Sequence, residues 1–333
     1  MKIIVDAFGG DNAPLEMIKG CIEAQNELSI GIILVGDGTK IKACAAENQL
    51  DISKLEILQA PTRISMEDEP MTVLKEKADS SMAVGLRALA EGKGDAFASA
   101  GNSGALVVGA TTLVKRIKGI KRVSFSAIIP KKQGFFMMSD VGANVECRPE
   151  MLEQFALMSS IYMEKVMKVQ NPRVGLLNVG SEEHKGTDLQ HAAFALLKAN
   201  KSLNFVGNVE GRDLPDDGAD VLVCDGFTGN VALKVYEGVA SILMGKIKGV
   251  FKKNLLTKLA AAMILKDVKE LKKSMDYNEY GGAPIMGAVK PVFKIHGSAK
   301  AQTVKNALAL TKCYVESGII EDIKLAAAKE DIT

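Results

Sequence analysis

The sequence predicts an α/β fold in which a largely parallel sheet is covered by helices on both faces. Short β-branched runs, most of them apolar on both faces, alternate along the chain with segments of helical period, which is typical of βαβ units. The chain has 333 residues, 47% hydrophobic and 25% charged, enough to bury an extensive core. No linker or internal repeat divides it, so we expect a single αβα unit over residues 1–333.

Nine short segments have the composition of strands, and five longer ones have the period or composition of helices. The predicted strands are 2–5, 30–35, 55–59, 96–99, 124–129, 135–139, 173–178, 203–207 and 221–224. The predicted helices are 15–26, 40–47, 80–91, 149–165 and 188–199. Residues 96–114 form the longest uncharged stretch, but their glycines and hydroxyls predict strand, loop and buried helix rather than a membrane span.

Beyond Asn230 the apolar positions recur with a period of 3.6 residues. This pattern predicts a helical hairpin at about 232–276 that projects from the sheet. Residues 245–275 hold nine lysines against Asp267 and Glu270, a net charge of +7. A segment that is both apolar and basic indicates a binding partner.

Three partners fit this hairpin. Its shafts could form a dimer interface with the lysines in solvent. Apolar residues near its bend, next to lysines, suit an anionic membrane surface or an acidic carrier protein. Dimerisation and membrane contact are compatible. The bend residues are Leu255, Leu256, Leu259, Ala260, Met263 and Ile264.

Five glycine turns carry short polar or charged side chains, and four directly follow an apolar strand. They are DAFGGDNAP (6–14), SAGNSGA (99–105), DVGANV (140–145), NVGSEEHKG (178–186) and CDGFTGNV (224–231). In an open α/β sheet such turns lie at the carboxyl ends of the strands, where N–H groups and helix N-termini point at one crevice. We therefore expect an anion site there. Its candidate donors are Asn102, Ser103, Asn144, Asn178, Lys185, Thr228 and Asn230.

Several site classes lack their signatures. The chain has no GxGxxG after the first strand, no GxxxxGK[ST] and no GxSxG, which disfavours dinucleotide, ATP and acyl-serine chemistry. The three histidines have no zinc-ligand spacing, so we predict no metal and no cofactor. His296 stands apart because it opens an HGS turn after the strand-like 291–295.

Composition limits the partners and the compartment. A formal net charge of +2, five Tyr and no Trp disfavour nucleic-acid binding. Five scattered cysteines without a CxxC motif indicate a reducing cytoplasm rather than a disulfide framework. Only three apolar residues separate Lys2 from Asp6, which does not suggest a signal peptide.

The glycine turns, together with LLNVGSEEHKG, GNVEGRD, YGGAP and HGS, resemble in order and position the motifs of the bacterial acyl-ACP:phosphate acyltransferase family, PlsX. The resemblance covers the chain from Met1 to about Ser317. It implies that phosphate attacks the thioester of a long-chain fatty acyl group on acyl carrier protein, which releases acyl phosphate for phospholipid synthesis. It also implies a Rossmann-like fold akin to isocitrate and isopropylmalate dehydrogenases and to phosphotransacetylase.

The resemblance further implies a homodimer at the inner face of the membrane. It leaves open whether that contact is direct or passes through the membrane glycerol-3-phosphate acyltransferase. The hairpin tip would then touch lipid, and its lysines would face lipid headgroups or the acidic carrier protein.

The same resemblance implies the site residues. Lys185 and Asn230 form the catalytic pair, with Lys185 neutralising phosphate and Asn230 donating to phosphate or to the developing oxyanion. Arg212 is a second cation, or else it only pairs with Glu210 or Asp213. Residues expected to bind phosphate or thioester are Asn102, Ser103, Gly104, Asn144, Arg212, Thr228, His296 and Ser298.

Three positions depart from the family motifs. Phe8 and Asn12 stand where Met and His are usual, so position 12 is no obligatory proton carrier. Ala299 replaces a second Ser, which leaves Ser298 as the hydroxyl. Three alternatives remain. They are a short-chain phosphotransacetylase acting on coenzyme A thioesters, a metal-dependent 2-hydroxyacid dehydrogenase by fold analogy, and a non-catalytic membrane scaffold.

Overall fold

A computed structural model of the chain describes residues 1–216, 218–264, 266–268 and 281–330, without the side chains at 255, 256, 259, 260, 329 and 330. Its centre is an eleven-stranded sheet in the order β3-β2-β1-β4-β11-β10-β5-β6-β9-β7-β8. The strands are β1 Lys2–Asp6, β2 Gly31–Gly36, β3 Glu56–Gln59, β4 Ala96–Ser99, β5 Ser124–Pro130, β6 Phe135–Ser139, β7 Arg173–Asn178, β8 Asn204–Glu210, β9 Val221–Val223, β10 Gly282–Met286 and β11 Val292–Ile295.

Helices cover both faces of the sheet, as the alternating pattern predicts. They are α1 Leu15–Leu28, α2 Gly38–Glu47, α3 Ser81–Ala90, α4 Ser103–Gly109, α5 Pro149–Lys165, α6 Asp188–Ala199, α7 Gly226–Lys252, α8 Leu255–Met263, α9 Ala301–Glu316 and α10 Ile319–Glu330. The αβα prediction is confirmed, and each of the nine predicted strands and five predicted helices is present.

Strand β10 escapes sequence-based prediction because its sequence, GAPIM, has the Gly and Pro content of a turn. It nevertheless lies in the middle of the sheet, where it pairs antiparallel with both β11 and β5. Pro284 is accommodated opposite Phe293. Two antiparallel strands, β10 and β5, therefore separate the two halves of the sheet.

The two halves run in opposite directions. Strands β1, β2, β3, β4 and β11 are mutually parallel, as are β6, β7, β8 and β9. Because β11 is antiparallel to β10, β10 to β5 and β5 to β6, the second set is antiparallel to the first. This topology corrects the expectation that all five glycine turns meet at one edge. Those after β1 and β4 lie at one edge, and those after β6, β7 and β9 lie at the other.

Three apolar clusters fill the two faces. On one face, residues of α1, α5 and α9 such as Ile18, Phe155 and Leu308 pack in a single cluster. On the other, Leu86 of α3 and Leu106 of α4 belong to a second cluster. A third surrounds β6 and β9 and takes in Leu233 and Tyr236 from the start of α7. Helix α7 therefore covers the sheet only with its first turns.

Past those turns α7 leaves the sheet. At about 1.5 Å per residue its 27 residues extend about 40 Å. A short bend at Lys253 and Asn254 leads into α8, where the Asn254 side chain caps the helix by accepting from the N–H of Thr257 at 2.9 Å. Residues 265 and 269–276 of the predicted hairpin lie outside the described residues. Within the described part of the chain, the helices all fall short of the length and apolar content needed to cross a bilayer.

Candidate active site

A cavity of about 490 Å³ lies between α7 and the central strands. It reaches from the carboxyl ends of β1, β4 and β11 at one edge to the carboxyl end of β6 at the other. The oppositely directed halves of the sheet thus contribute to one site along its antiparallel middle. The lining residues are Asp11, Met66, Ser103, Phe125, Ala127, Ile128, Val141, Gly142, Asn230, Leu233, Lys234, Glu237, Gly281, Gly282, Ala283, Lys294, His296, Gly297 and Ser298.

At the first edge, the turn after β11 is tied to the turn after β1. The N–H of Asp11 donates to the carbonyl of Gly297 at 2.8 Å. The Asn12 amide donates to the carbonyls of Ser298 and Ala299 at 3.0 and 3.2 Å. Asn12 therefore holds the HGS turn in place through two main-chain contacts, which is a structural use of the residue that stands in place of the usual His.

His296 is half-buried in this turn, and its Nδ1 lies 2.9 Å from the hydroxyl of Ser298. Burial lowers the pKa of His296, and the positive charges of Lys294 and Lys234 lower it further, although the carboxylates of Glu237 and Asp11 oppose this shift. The imidazole is therefore neutral near pH 7 and can exchange a proton with Ser298 or with a molecule in the cavity.

Lys294 is the buried cation of the cavity, only 7% exposed. Its ammonium donates to the carbonyl oxygens of Ala100 at 3.1 Å and Ile295 at 2.6 Å. Burial lowers the pKa of Lys294 to about 8, although the carboxylates of Asp11 and Asp6 oppose this shift. A lysine held in this way presents a positive charge of fixed position to the cavity.

At the other edge, Asp140 organises the DVGANV turn. Its buried carboxylate accepts from the N–H groups of Phe125 at 2.9 Å, Ala143 at 3.1 Å and Asn144 at 2.7 Å. Burial raises the pKa of Asp140 in spite of these donors. The turn places Val141 and Gly142 in the cavity wall.

The last predicted turn, CDGFTGNV, is the start of helix α7. Asp225 caps the helix by accepting from the N–H of Thr228 at 2.8 Å and from its hydroxyl at 2.7 Å. A Cβ at Gly229 would overlap the carbonyl oxygen of Asp140, so the helix packs directly on the DVGANV turn. This close approach sets the Asn230 amide over Gly142, with Nδ2 3.4 Å from the point where a Cβ of residue 142 would lie.

The structure brings four of the predicted site residues together at the cavity: Ser103, Asn230, His296 and Ser298. Others support the site from behind. The Asn102 amide donates to the carbonyls of Ser65, Met66 and Asp68, and its oxygen caps α4.

Three further predicted residues also have internal contacts. The Asn144 amide donates to Val123 and Asp140, each at 2.8 Å. Gly104 has no room for a side chain beside Pro70. Thr228 binds the capping Asp225, as above, so its hydroxyl proton is already engaged.

Lys185 and Arg212 lie outside the cavity lining. The carbonyl of Lys185 accepts from the Asn178 amide at 3.0 Å, and its side-chain stem lies against Gly180. These contacts hold the NVGSEEHKG loop at the end of β7, which is two strands away from β6 in the sheet. Arg212 is exposed and pairs with Glu210 at 3.0 Å and Asp213 at 3.8 Å, which is the structural role foreseen for it. The roles of Lys185 and Asn230 as a catalytic pair stay predictions.

Sequence reasoning missed four charged residues of the cavity: Asp11, Lys234, Glu237 and Lys294. Lys294 occupies an inward position of a buried strand, VFKI, where a charge is costly unless it has a use. That apolar context was the available signal. Lys234 and Glu237 form a 3.0 Å ion pair on α7, which resembles an ordinary helix pair in sequence.

The fold is that of the phosphotransacetylases. A phosphotransacetylase from Streptococcus pyogenes superposes with a TM-score of 0.63 at 14% identity, covering 95% of this chain and 94% of that chain. At this identity the similarity defines the class of fold, an α/β phosphotransacetylase fold, and agrees with the sequence-based expectation.

The family follows from sequence comparison. Residues 1–322 match the family described as "Fatty acid synthesis protein". The phosphate acyltransferase of Acetivibrio thermocellus is 47% identical, covering 97% of this chain and 96% of its own length. That of Thermoanaerobacterium thermosaccharolyticum is 44% identical with the same coverage. The chain belongs to the phosphate acyltransferase family, as its motifs predicted.

Proposed function

We propose that this protein transfers a long-chain fatty acyl group from acyl carrier protein to inorganic phosphate and releases acyl phosphate for phospholipid synthesis. The observation that carries the proposal is the cavity, which combines a polar edge, where the buried Lys294 lies near the carboxylate of Asp11, with an apolar wall. Lys294, His296 and Ser298 stand at that edge, and the wall is formed by Phe125, Ala127, Ile128, Val141 and Leu233. A phosphate fits the first surface and a hydrocarbon chain the second.

The reaction is direct. A phosphate oxygen forms a bond to the thioester carbon, the carbonyl becomes an oxyanion, and the carbon–sulfur bond then breaks as the thiolate leaves and takes up a proton. Phosphate is already an anionic nucleophile near neutral pH, so the protein mainly has to orient it and stabilise the oxyanion. Asn230 donates to the phosphate or the oxyanion. Lys185, the other member of the predicted pair, lies on the loop after β7 outside the cavity lining and would neutralise the phosphate charge only if that loop moved toward the cavity.

The neutral imidazole of His296 fits a proton relay: it takes the proton that the attacking hydrogen phosphate loses and passes it, as imidazolium, to the leaving thiolate, with Ser298 as its hydrogen-bond partner. Lys294 adds a fixed positive charge for the phosphate at the same edge. Ser103 is the first residue of α4 and lines the cavity, so the N-terminus of this helix would help to bind the phosphate.

The projecting helices supply the assembly and the membrane contact of the proposed enzyme. Helix α7 exposes a row of apolar side chains, among them Val235 and Ile242, that suits pairing with a second subunit. Met263 and Ile264, at the end of α8, are exposed and would touch an anionic membrane together with Leu255, Leu256 and Leu259. We therefore expect the enzyme to act in the cytoplasm, peripherally at the inner face of the membrane.

The decisive experiment supplies purified protein with palmitoyl carrier protein and phosphate and measures hydroxylamine-reactive acyl phosphate. We expect formation that depends on both substrates. Formation from acyl-CoA but not from the carrier would instead favour the short-chain phosphotransacetylase alternative. No acyl phosphate from either donor would refute the acyl transfer itself.

The membrane contact has a separate test. Replacing Leu255, Leu256 and Leu259 by Ser should release the protein from anionic liposomes in a flotation assay while activity in solution is retained. Undiminished flotation of this variant would remove the hairpin tip from the membrane contact.

A further inference from the structure

One stretch of the chain carries several positive charges and no negative charge. Between Asp95 and Asp140 the chain contains no acidic residue. Within this stretch residues 115–122, KRIKGIKR, carry five positive charges in eight positions. We call these residues the basic loop. It connects the helical turns after α4 to strand β5, and none of its residues lines the active-site cavity.

The basic loop is fixed by its two isoleucines and its main chain. Ile117 and Ile120 are buried in the core, 2% and 5% exposed. The N–H of Ile117 donates to Gly287 at 2.9 Å. The side chain of the buried Gln154, on α5, forms two hydrogen bonds to the main chain of the loop. It accepts from the N–H of Lys121 at 2.9 Å and donates to the carbonyl of Gly119 at 3.0 Å.

The charged side chains of this loop point outward and lack acidic partners. Lys115, Lys118, Lys121 and Arg122 are exposed, and none of them forms an ion pair with any residue that the structure describes. Many other surface lysines are paired, for example Lys198 with Glu183 at 2.6 Å. The loop therefore presents preorganised, unneutralised charge, which favours association with an acidic partner.

The basic loop lies next to the cavity. It ends where β5 begins, and Phe125, three residues after Arg122, lines the cavity. At about 3.3 Å per extended residue the two Cα atoms are about 10 Å apart. The residue that follows the loop is also tied to the turn that forms the cavity wall, because the Asn144 amide donates to the carbonyl of Val123 at 2.8 Å. A partner bound here would stand beside the cavity.

We propose that the basic loop is the docking surface for the acidic carrier protein that delivers the acyl thioester. This inference rests on the proposed function, which requires such a donor. A lipid surface is the less suitable occupant because the loop's apolar residues, Ile117 and Ile120, are buried and none is left to insert into a bilayer. Exposed apolar side chains are instead found on α7 and α8, as in Val250 and Met263.

The test reverses charge in the loop with Lys118→Glu, Lys121→Glu and Arg122→Glu in one variant. The matched control carries Lys42→Glu, Lys54→Glu and Lys201→Glu, which are also exposed lysines without a described ion pair. Binding of fluorescently labelled palmitoyl carrier protein is measured by anisotropy at several salt concentrations, independently of turnover. We expect the loop variant to bind about tenfold more weakly or worse, with a flatter salt dependence, and the control to bind as wild type.

Turnover is measured in parallel with palmitoyl-CoA, which brings no protein surface. The loop variant should keep its wild-type rate with this donor if the charges only dock the carrier. The binding assay and the turnover assay can fail separately. If the loop variant binds the carrier more weakly than the control variant does, the docking surface is upheld. If the wild type forms no acyl phosphate in the same experiment, only the proposed function fails.

Three results would overturn the docking surface. The first is carrier binding by the loop variant equal to that of the control. The second is a loop variant that no longer binds vesicles of anionic lipid but still binds the carrier protein. The third is loss of carrier binding on reversing Lys246, Lys248 and Lys252 of α7 while the loop variant binds normally, which would transfer docking to the hairpin.

Discussion

The ammonium of Lys294 and the carbonyl oxygen of Ala100 are joined by a 3.1 Å hydrogen bond across 194 positions of sequence. This bond ties β11 to the SAGNSGA turn after β4. It also holds a buried positive charge at the cavity edge, where His296 and Ser298 lie. The same contact is therefore both part of the fold and part of the candidate site.

We expect this charge to limit activity at high pH. The pKa of Lys294 is about 8, so the ammonium loses its proton as pH rises through that value. Loss of the charge weakens phosphate binding, and kcat/KM for phosphate should fall on the alkaline side. Lys294→Met should lower kcat/KM at neutral pH and remove this limb of the profile. A wild-type profile that stays flat from pH 7 to 10 would contradict the assignment.

The lowered pKa of Lys294 also affects the free energy of unfolding. Activity should fall as pH rises, whereas this contribution to stability should increase. The pKa of Lys294 is lowered from its ordinary 10.5, so between about 8 and 10.5 the unfolded chain binds more protons than the folded one. Stability contributed by this group therefore rises with pH in that window. Urea unfolding should show a smaller increase across the window in Lys294→Met than in wild type.

Asn230 offers a test of oxyanion or phosphate stabilisation. Its amide lies over Gly142 in the cavity wall. Asn230→Ala should lower kcat by about a hundredfold to a thousandfold, the usual loss of one preorganised donor. The exposed Asn26 on α1, changed to Ala, is the control, and equal kcat for Asn230→Ala and Asn26→Ala would refute the role of Asn230 as a donor.

Lys185→Ala should mainly raise KM for phosphate if Lys185 neutralises the charge of the phosphate.

The fold was predictable because periodicity and strand composition are local properties. The apolar runs at β1, β2 and β7 and the helical patterns at α5 and α6 lie where the sequence indicates. The antiparallel middle of the sheet was not predictable, because strand direction depends on pairing between distant segments. β10 in particular carries Gly and Pro, so its local signal points to a turn.

The candidate site was predictable only in part, for a similar reason. Asn230 and His296 stand in recognisable motifs and reach the cavity. Asn102 and Asn144 look the same in sequence, yet their amides are used to hold loops together. Whether an amide faces a ligand or a carbonyl depends on packing. Lys294 was overlooked because it lies inside the strand and not in the HGS turn that follows it, although a lysine among apolar residues was a signal.

The packing of α7 on the DVGANV turn predicts a sharp glycine requirement. A Cβ at Gly229 would overlap the carbonyl of Asp140, and backbone cannot move aside cheaply. Gly229→Ala should destabilise the protein by about 1–3 kcal/mol or more, as overpacking does, and should also reduce activity by displacing Asn230. Gly211→Ala is the control because nothing lies within 4 Å of a Cβ there. Denaturant midpoints of the two variants that coincide would argue against this packing.

The outer face of α7 gives a prediction about assembly. Val231, Val235 and Ile242 follow one another at helical spacing and are all at least half exposed, with Ile242 at 63%. Gly238, Gly245 and Gly249 lie on the same face, and nothing described lies within 4 Å of a Cβ at any of them. Small residues beside apolar ones allow a second helix to approach closely, so we expect this face to pair with that of a second copy.

Ile242→Lys tests this pairing, because it puts a charge into the centre of the expected contact, where burial without a partner is costly. The neighbouring Ser241→Lys makes the same addition about 100° around the helix from Ile242, at the margin of this face, and is the control. Light scattering should give the mass of two chains for wild type and Ser241→Lys and that of one chain for Ile242→Lys at the same concentration. A wild-type mass of one chain, or a dimer that tolerates Ile242→Lys, would exclude this face as the interface.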